Sequence, residues 1–472
     1  MSKNKSKSNG SKEVAGQEHK MGTFSALCMA IGSIVGAGIF GSIPAAAGMV
    51  GAGIEWAYII ALFAIICRFL PVVINGSVLP CPAGNYMHAT RLVGPTVGFL
   101  QATFGFSYFF LLSSLATVFA EYGGIFFPSV DGRILGIISL VLFACITCRG
   151  VQASSITQNF MTVMLILAMI MFMAFGFPKI DPNLISVQKI VHPEGMNSVN
   201  MGSAVALLSA TLIGGHVCMN IAQDLKEPGK AIPISFILST VVCCILFMLV
   251  SYVAIGTSPI SELTSLKDVA ARFLSGPMMM FFILGGAVFA ILTSMNGQFL
   301  SGATTIRKIS EDKVFPEWLS KVNSHGVPQN TVILLCVGSS VVVGFGLPVG
   351  TLLSAYSFLS LITGLILFMA AMRVHKLYPN MYKNAYMKLT PTLIKIISSI
   401  GIAISLWQIY SLFRSMKPEV MAVLILWFVV WYIYYYARKS YLAKKGIDLK
   451  KMMTVPYPEW VKKEKELGMK KN

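Results

Sequence analysis

The feature that most constrains this chain is a succession of apolar runs, each close to the length of a bilayer crossing and joined by short polar links. A membrane-spanning helix needs roughly 20 predominantly apolar residues. Twelve such runs can be read, at 22–49, 54–77, 96–121, 133–148, 157–178, 200–222, 232–256, 278–307, 328–347, 350–372, 391–413 and 418–437. Composition agrees: 55% of the 472 residues are hydrophobic and 12% are charged, about half the charged share of an ordinary soluble protein. The expected fold is therefore an all-α polytopic membrane protein. Residues 1–20 are polar and Lys-rich (Lys3, Lys5, Lys7, Lys12, Lys20), with nothing like a cleavable secretory signal, so the first run is expected to stay in the membrane.

The net charge of +18 raises the question of nucleic acid, and the distribution of charge answers it. With both termini in the cytoplasm, 29 of the 37 Lys and Arg fall in cytoplasmic segments, as the positive-inside rule requires. The exceptions are Arg133, Lys179, Lys189, Lys267, Arg272, Arg414 and Lys417 outside, and Arg68 within the second span. The tail beyond Tyr436 carries eleven basic residues and suits anionic lipid headgroups. A multi-pass protein of the cytoplasmic membrane is expected, with no nucleic-acid partner.

The links leave no room for a separate soluble domain. Residues 1–20 read as a cytoplasmic tail, 21–440 as the membrane domain and 441–472 as a basic cytoplasmic tail, with 1–20 and 445–472 expected to be mobile. The internal loop 308–327, rich in Lys, Glu and Pro, suggests a short amphipathic helix on the membrane surface. The nine cysteines are scattered, mostly in apolar runs. Cys145 and Cys148 have CxxC spacing, but no second pair or nearby His completes a metal site, and Cys243-Cys244 reads as packing. No metal or cofactor is expected.

Two runs look weak as helices. The first contains GSIVGAGIFGSIP, with Gly32, Gly36, Gly38 and Gly41 followed by Pro44. The sixth carries Ile213-Gly214-Gly215-His216 at its centre. Each mid-helix Gly costs about 1 kcal/mol relative to Ala. The clusters fall at corresponding places in two halves, 22–178 and 200–372, with 391–437 beyond them. Matched interruptions of this kind point to a transporter site near the midplane, because unwound backbone in a bilayer survives only where it is buried in protein or lines a cavity. Freed N–H groups suit a carboxylate and freed C=O groups an ammonium, and an amino acid carries both.

Four strings then resemble the amino acid–polyamine–organocation transporters over roughly residues 20–440. They are GSIVGAGIFGSIPAAAG (32–48), PAGNYMHATRLVGP (82–95), QDLKEPGKAIP (223–233) and SMNGQFLSGATTIRKISEDKVFP (294–316). The resemblance implies five-plus-five inverted repeats plus two further helices, broken helices 1 and 6, and alternating access without ATP. It implies that Gly36, Ala37 and Gly38, beside Ile34, hold a substrate carboxylate through backbone N–H groups. Ile213, Gly214 and Gly215 would offer carbonyls to the amino group, with Ser113 and Gln298 nearby. Arg91, Asp224, Lys226, Arg307 and Asp312 would form a cytoplasmic gating network.

Departures from the family pattern bear on substrate. Ala210 stands where many relatives place a gating aromatic, which leaves room for a bulky side chain or shifts the gate to Tyr108 or Phe104. His216 stands where some relatives have a carboxylate; it is either a functional ionisable group or a neutral imidazole bonded to a freed carbonyl. The fifth-span position that carries a Lys in proton-coupled relatives falls at or near Leu165, which leans toward exchange. Proton or sodium coupling stays open, with Thr304 and Thr305 as sodium-ligating hydroxyls. Arg68 favours a structural pairing over a substrate role.

The expected function is secondary transport of amino acids, by exchange of large neutral or aromatic ones. The alternatives are a cationic amino acid or polyamine antiporter and a proton-coupled symporter. A sensor or channel is disfavoured by the missing output domain and the paired Gly clusters. An enzyme is disfavoured by the absence of a polar catalytic cluster at matched depth.

Overall fold

The computed structural model describes residues 21–149, 152–185 and 197–469, with backbone alone at 36–38, 152–158 and 224. Lys189 and the N-terminal twenty residues lie outside the described residues. The described secondary structure is helical, with one isolated bridge between Met21 and Leu225.

Each apolar run of the sequence coincides with helix. The first five spans are α1 (Thr23–Val50), α2 (Ile54–Val78), α3 (Tyr108–Gly123), α4 (Gly132–Cys148) and α5 (Gln152–Gly176). A short helix, Pro95–Thr103, and a 3-10 turn, Phe104–Phe106, lead into α3. The sixth run is two pieces, α6 (Ser198–Thr211) and α7 (His216–Asn220). Then come α8 (Pro228–Thr257), α9 (Phe289–Glu311), α10 (Gln329–Gly344), α11 (Val349–Leu377), α12 (Pro391–Ser415) and α13 (Pro418–Ala443). Among the described residues eight helical stretches are long and apolar enough to cross a membrane, one of them Ile39–Val78 across the end of α1 and α2, while Thr23–Val35, Gly132–Cys148 and Gln329–Gly344 are apolar but shorter. The protein is thus an apolar helical assembly of the multi-pass kind.

The interior is built around α1, which packs against α6, α8 and α9, with α3 pressed on α4, α9, α10 and α11. The last helix, α13, is peripheral, and Val423, Ile425, Leu426, Val429, Val430 and Ile433 are exposed on it. An apolar face of that size on a helix of this length suits hydrocarbon.

Three expectations are corrected. The first run is a single helix through residues 36–38, from Thr23 to Val50, so its glycines have weakened it without breaking it. Glycine costs only about 1 kcal/mol in a helix, and α1 is packed against α6, α8 and α9. Residues 445–472 are not a mobile tail as far as Met469: they form α14 (Leu449–Thr454) and α15 (Pro458–Met469), docked on the ends of other helices. The loop 308–327 holds a 3-10 turn, Glu317–Ser320, in place of an amphipathic helix. Pro316 precedes it, and Lys321 ends it in extended backbone.

Candidate functional site

The break in the sixth run is a glycine device. Between Thr211 and His216 the backbone turns through Leu212–Gly215, with His216 N donating to Ile213 O (2.9 Å) and Val217 N to Gly214 O (3.2 Å). A Cβ on Gly214 would sit 2.5 Å from Ile34 N and 2.6 Å from the Ser33 carbonyl carbon. On Gly215 it would sit 2.8 Å from the Phe236 ring and 3.0 Å from Phe236 Cα. Only glycine lets this segment press against α1 on one side and α8 on the other. From α9, Ser294 Oγ (2.5 Å) and Thr293 Oγ1 (3.3 Å) donate to Gly32 O. Those two hydroxyls of α9 therefore meet α1 at Gly32, whereas Thr305 packs toward Gly105.

Beside the break lies a small cavity of ≈ 20 Å³, far below the roughly 300 Å³ or more of an open ligand pocket. Ile34, Leu111, Leu115, Leu353 and Tyr356 form its apolar walls. Ser33, Thr211, Gln298 and His216 supply polar groups, and Ala210 and Gly214 complete it. Gln298 Oε1 and Ser33 Oγ are buried with no hydrogen-bond partner. Buried polar atoms are normally satisfied, so these two mark where a polar guest gains most.

His216 is wired on both nitrogens. Nδ1 meets Ile213 O at 2.8 Å; a carbonyl only accepts, so Nδ1 carries the proton. In a neutral ring Nε2 then accepts from the Tyr108 hydroxyl at 3.2 Å. Tyr108 O in turn accepts from Ser301 Oγ (2.7 Å) and Asn220 Nδ2 (3.3 Å), and Asn220 Nδ2 also donates to Ser301 Oγ (2.6 Å). Every donor has an acceptor with a neutral imidazole. The network accommodates a neutral His216 bonded to the freed Ile213 carbonyl.

The sequence-derived residues divide accordingly. Ile34, Ala210, Gly214, His216 and Gln298 meet at the cavity. Ile213 and Gly215 flank it, but the Ile213 carbonyl already accepts from the His216 backbone and ring. Ser113 lies elsewhere, donating to Phe109 O and to Ser339 O on α10. Gly36, Ala37 and Gly38 have helical backbone, and their side-chain surroundings lie outside the described residues. Sequence reasoning missed Tyr356, Asn220 and Ser301. Hydroxyls and amides in apolar runs are too common to single out, and three helices must converge before these become a network. The aromatic beside Ala210 is Tyr356 of α11, with Phe104 5.5 Å from it ring to ring.

At the end assigned to the cytoplasm, Arg91 and Asp312 form a buried ion pair at 2.5 Å. Tyr86 donates to the same carboxylate at 2.9 Å and Lys308 approaches it at 3.6 Å. Arg307 pairs with Glu311 instead (3.0 Å). Lys226 is exposed, held by its backbone N–H on Met21 O (3.0 Å), and the Asp224 side chain lies outside the described residues. The C-terminal segment closes over this cluster. Arg91 Nε donates to Val455 O (3.3 Å), and buried Trp460 donates to Pro80 O (3.2 Å) while stacking on His88 (5.8 Å between centroids). Glu464 accepts from the N–H groups of Asn380 and Met381, both at 2.8 Å, a carboxylate on a helix N-terminus. Burial pushes the His88 imidazole down to about 4, with the Leu79 carbonyl bond opposing.

A broken helix packed on a continuous one, a small central cavity and an ion-paired cluster at one end make up the candidate site. The amino acid permease model matches residues 21–435, and the chain belongs to that family. It is 24% identical to the methylthioribose transporter of Bacillus subtilis (strain 168) over 90% of this chain and 95% of that one. It is 25% identical to the branched-chain amino acid permease BcaP of the same organism, over 66% and 71%. It is 24% identical to the chloroplastic cationic amino acid transporter 9 of Arabidopsis thaliana, over 64% and 57%.

Proposed function

We propose that this protein is a secondary transporter that moves neutral amino acids across the cytoplasmic membrane by alternating access, in exchange for a second amino acid. The supporting observation is the cavity between α1 and the Leu212–Gly215 break, walled by apolar side chains and, among the described residues, by no acidic one. A cationic side chain would find no counter-charge there, whereas an aliphatic or aromatic one would find Ile34, Leu111, Leu115 and Leu353. The unpartnered Gln298 Oε1 and Ser33 Oγ are acceptors for the amino group. A carboxylate at residues 36–38 requires α1 to open there, since a continuous helix uses those N–H groups internally. The twelve helical runs are taken as twelve spans in two inverted repeats, both termini cytoplasmic, with substrate size set when the cavity opens. The fully buried Leu165 leaves no ammonium at the fifth-span position, which favours exchange over proton symport.

A second reading, a neutral thioether sugar, is favoured by the uncharged cavity and by the extent of the match to the methylthioribose transporter. The test is uptake into proteoliposomes from a panel of labelled amino acids, amines and methylthioribose, with and without internal substrate and with imposed proton or sodium gradients. Uptake of neutral amino acids that needs internal substrate and ignores both gradients is expected. Gradient-driven uptake into empty vesicles would sink the exchange mechanism, and uptake of the sugar alone would sink the amino acid.

A further inference from the structure

A guanidinium stays charged at any accessible pH, and one inside a membrane protein needs compensation. Arg68 of α2 is buried, and its Nη2 donates to Ser360 O (2.5 Å) and Ser360 Oγ (2.8 Å) on α11. No carboxylate pairs with it among the described residues. The Phe69 ring, 4.9 Å from its Cζ, offsets a small part of the charge. A neutral side chain could make the same bonds to Ser360, so the pairing accounts for the contact and leaves the charge unexplained.

Arg68 also lines a second small cavity of ≈ 20 Å³, with Asn85, Gln101, Phe104, Ser360 and Thr363 around it. Arg68 Nε, Asn85 Oδ1 and Gln101 Oε1 are all buried without a partner. Three unsatisfied polar groups around one void, in a region otherwise closed by apolar packing, indicate a site for a polar guest. Either amide can rotate to present N–H beside the guanidinium. A Cβ on Gly364 would lie 2.9 Å from Arg68 Nη2, so α11 is kept bare there to admit the fork.

Position gives this void a role. Tyr356 lines the central cavity, and Ser360, one helical turn (about 6 Å) further along α11, lines the second. Asn85 belongs to the short helix that also holds Tyr86, which bonds Asp312 of the cytoplasmic closure. The second void thus lies between the central cavity and that closure, with the Phe104–Tyr356 ring pair at the boundary. We propose that Arg68, with Asn85 and Gln101, forms a second station on the path, which takes the carboxylate of a zwitterionic substrate and repels cationic ones. This deepens the amino acid reading and rests on it. A unit charge within about 10 Å at an effective dielectric near 20 biases cation against zwitterion by roughly 10-fold or more.

The test uses the full-length protein in proteoliposomes, with L-leucine as the zwitterion, isoamylamine (its carboxylate-free counterpart) and L-lysine as competitors. Wild type is expected to take up leucine and to be inhibited poorly by both cations. Arg68→Gln is expected to narrow that discrimination about 10-fold, and Arg68→Lys to retain most of it. Unchanged selectivity and leucine affinity in Arg68→Gln overturns the station. If Arg68→Gln does not fold, the Asn85→Leu/Gln101→Leu double variant decides, with weakened leucine affinity expected and wild-type affinity overturning the proposal. Should wild type carry only carboxylate-free compounds, the amino acid reading itself falls, an outcome visible before any variant is compared.

Discussion

Gly214→Ala probes the contact on which the central site is built. The new Cβ would stand 2.5 Å from Ile34 N and 2.6 Å from both the Ser33 carbonyl carbon and Ile34 Cγ1, against 3.4–4 Å for ordinary contact. Two of those atoms are backbone of α1, so no rotamer change relieves the clash, and α1 and the break must separate by about 1 Å. Overpacking of this kind costs about 1–3 kcal/mol, offset by about 0.4–1 kcal/mol from the stiffer unfolded chain. The net expectation is a loss of about 1–2 kcal/mol, read as a drop of a few degrees in detergent melting. Transport should suffer more than stability, because the separation falls between Ile34 and Gly214, which line the cavity. Gly48→Ala is the control: nothing lies within 4 Å of its Cβ, and an alanine in helix should be neutral or stabilising by about 0.5–1 kcal/mol. Wild-type melting and uptake in Gly214→Ala would refute the close approach of the two segments.

Tyr108→Phe removes the donor to His216 and the acceptor of Ser301 and Asn220; leaving such groups buried and unpaired should cost about 1–3 kcal/mol, and an unchanged melting temperature would count against the network. Asp312→Asn leaves buried Arg91 without its carboxylate, while Lys308 keeps Glu311; breaking a buried pair costs about 3–5 kcal/mol, and adding Arg91→Gln should recover part of the loss in a double-mutant cycle. His88 gives a pH prediction. Its folded-state value of about 4 lies below the ordinary 6.5, so the folded protein binds fewer protons than the unfolded one, and this contribution is full above pH 6.5 and falls between 6.5 and 4. The loss reaches about 3 kcal/mol at most, and the added proton would sit on Nδ1, which is buried without a partner. Acidification over that window should free the Trp460 helix, seen as tryptophan fluorescence change and proteolysis near Pro458; His88→Gln should remove the pH dependence, and the same pH response in that variant would refute it.

What was legible in the sequence followed from local chemistry. Apolar runs locate helices because the cost of exposing backbone in hydrocarbon applies residue by residue, and paired glycines mark Gly214 and Gly215 because no other residue tolerates such crowding. Arg91 and Asp312 were legible from their place in family-like strings, although nothing local says that they touch.

Tertiary structure decided the rest. Glycines alone could not say which run would break: α1 stays helical through residues 36–38, while the sixth run turns where α1 and α8 crowd Gly214 and Gly215 from both sides. Ser113 and Gln298 look equivalent as polar residues in apolar runs, yet one faces α10 and the other the cavity, a difference of helix rotation that packing sets. The basic C-terminal segment has the composition of a solvated tail, and it is the pocket around His88 and Pro80, far away in sequence, that gives Trp460 somewhere to be buried. Arg68 is the sharpest case: the sequence shows a charge where none should be, and only the convergence of α2, α11 and the segment before α3 surrounds it with unsatisfied amides. A sequence specifies which groups a chain owns; which of them meet depends on contacts between residues hundreds of positions apart.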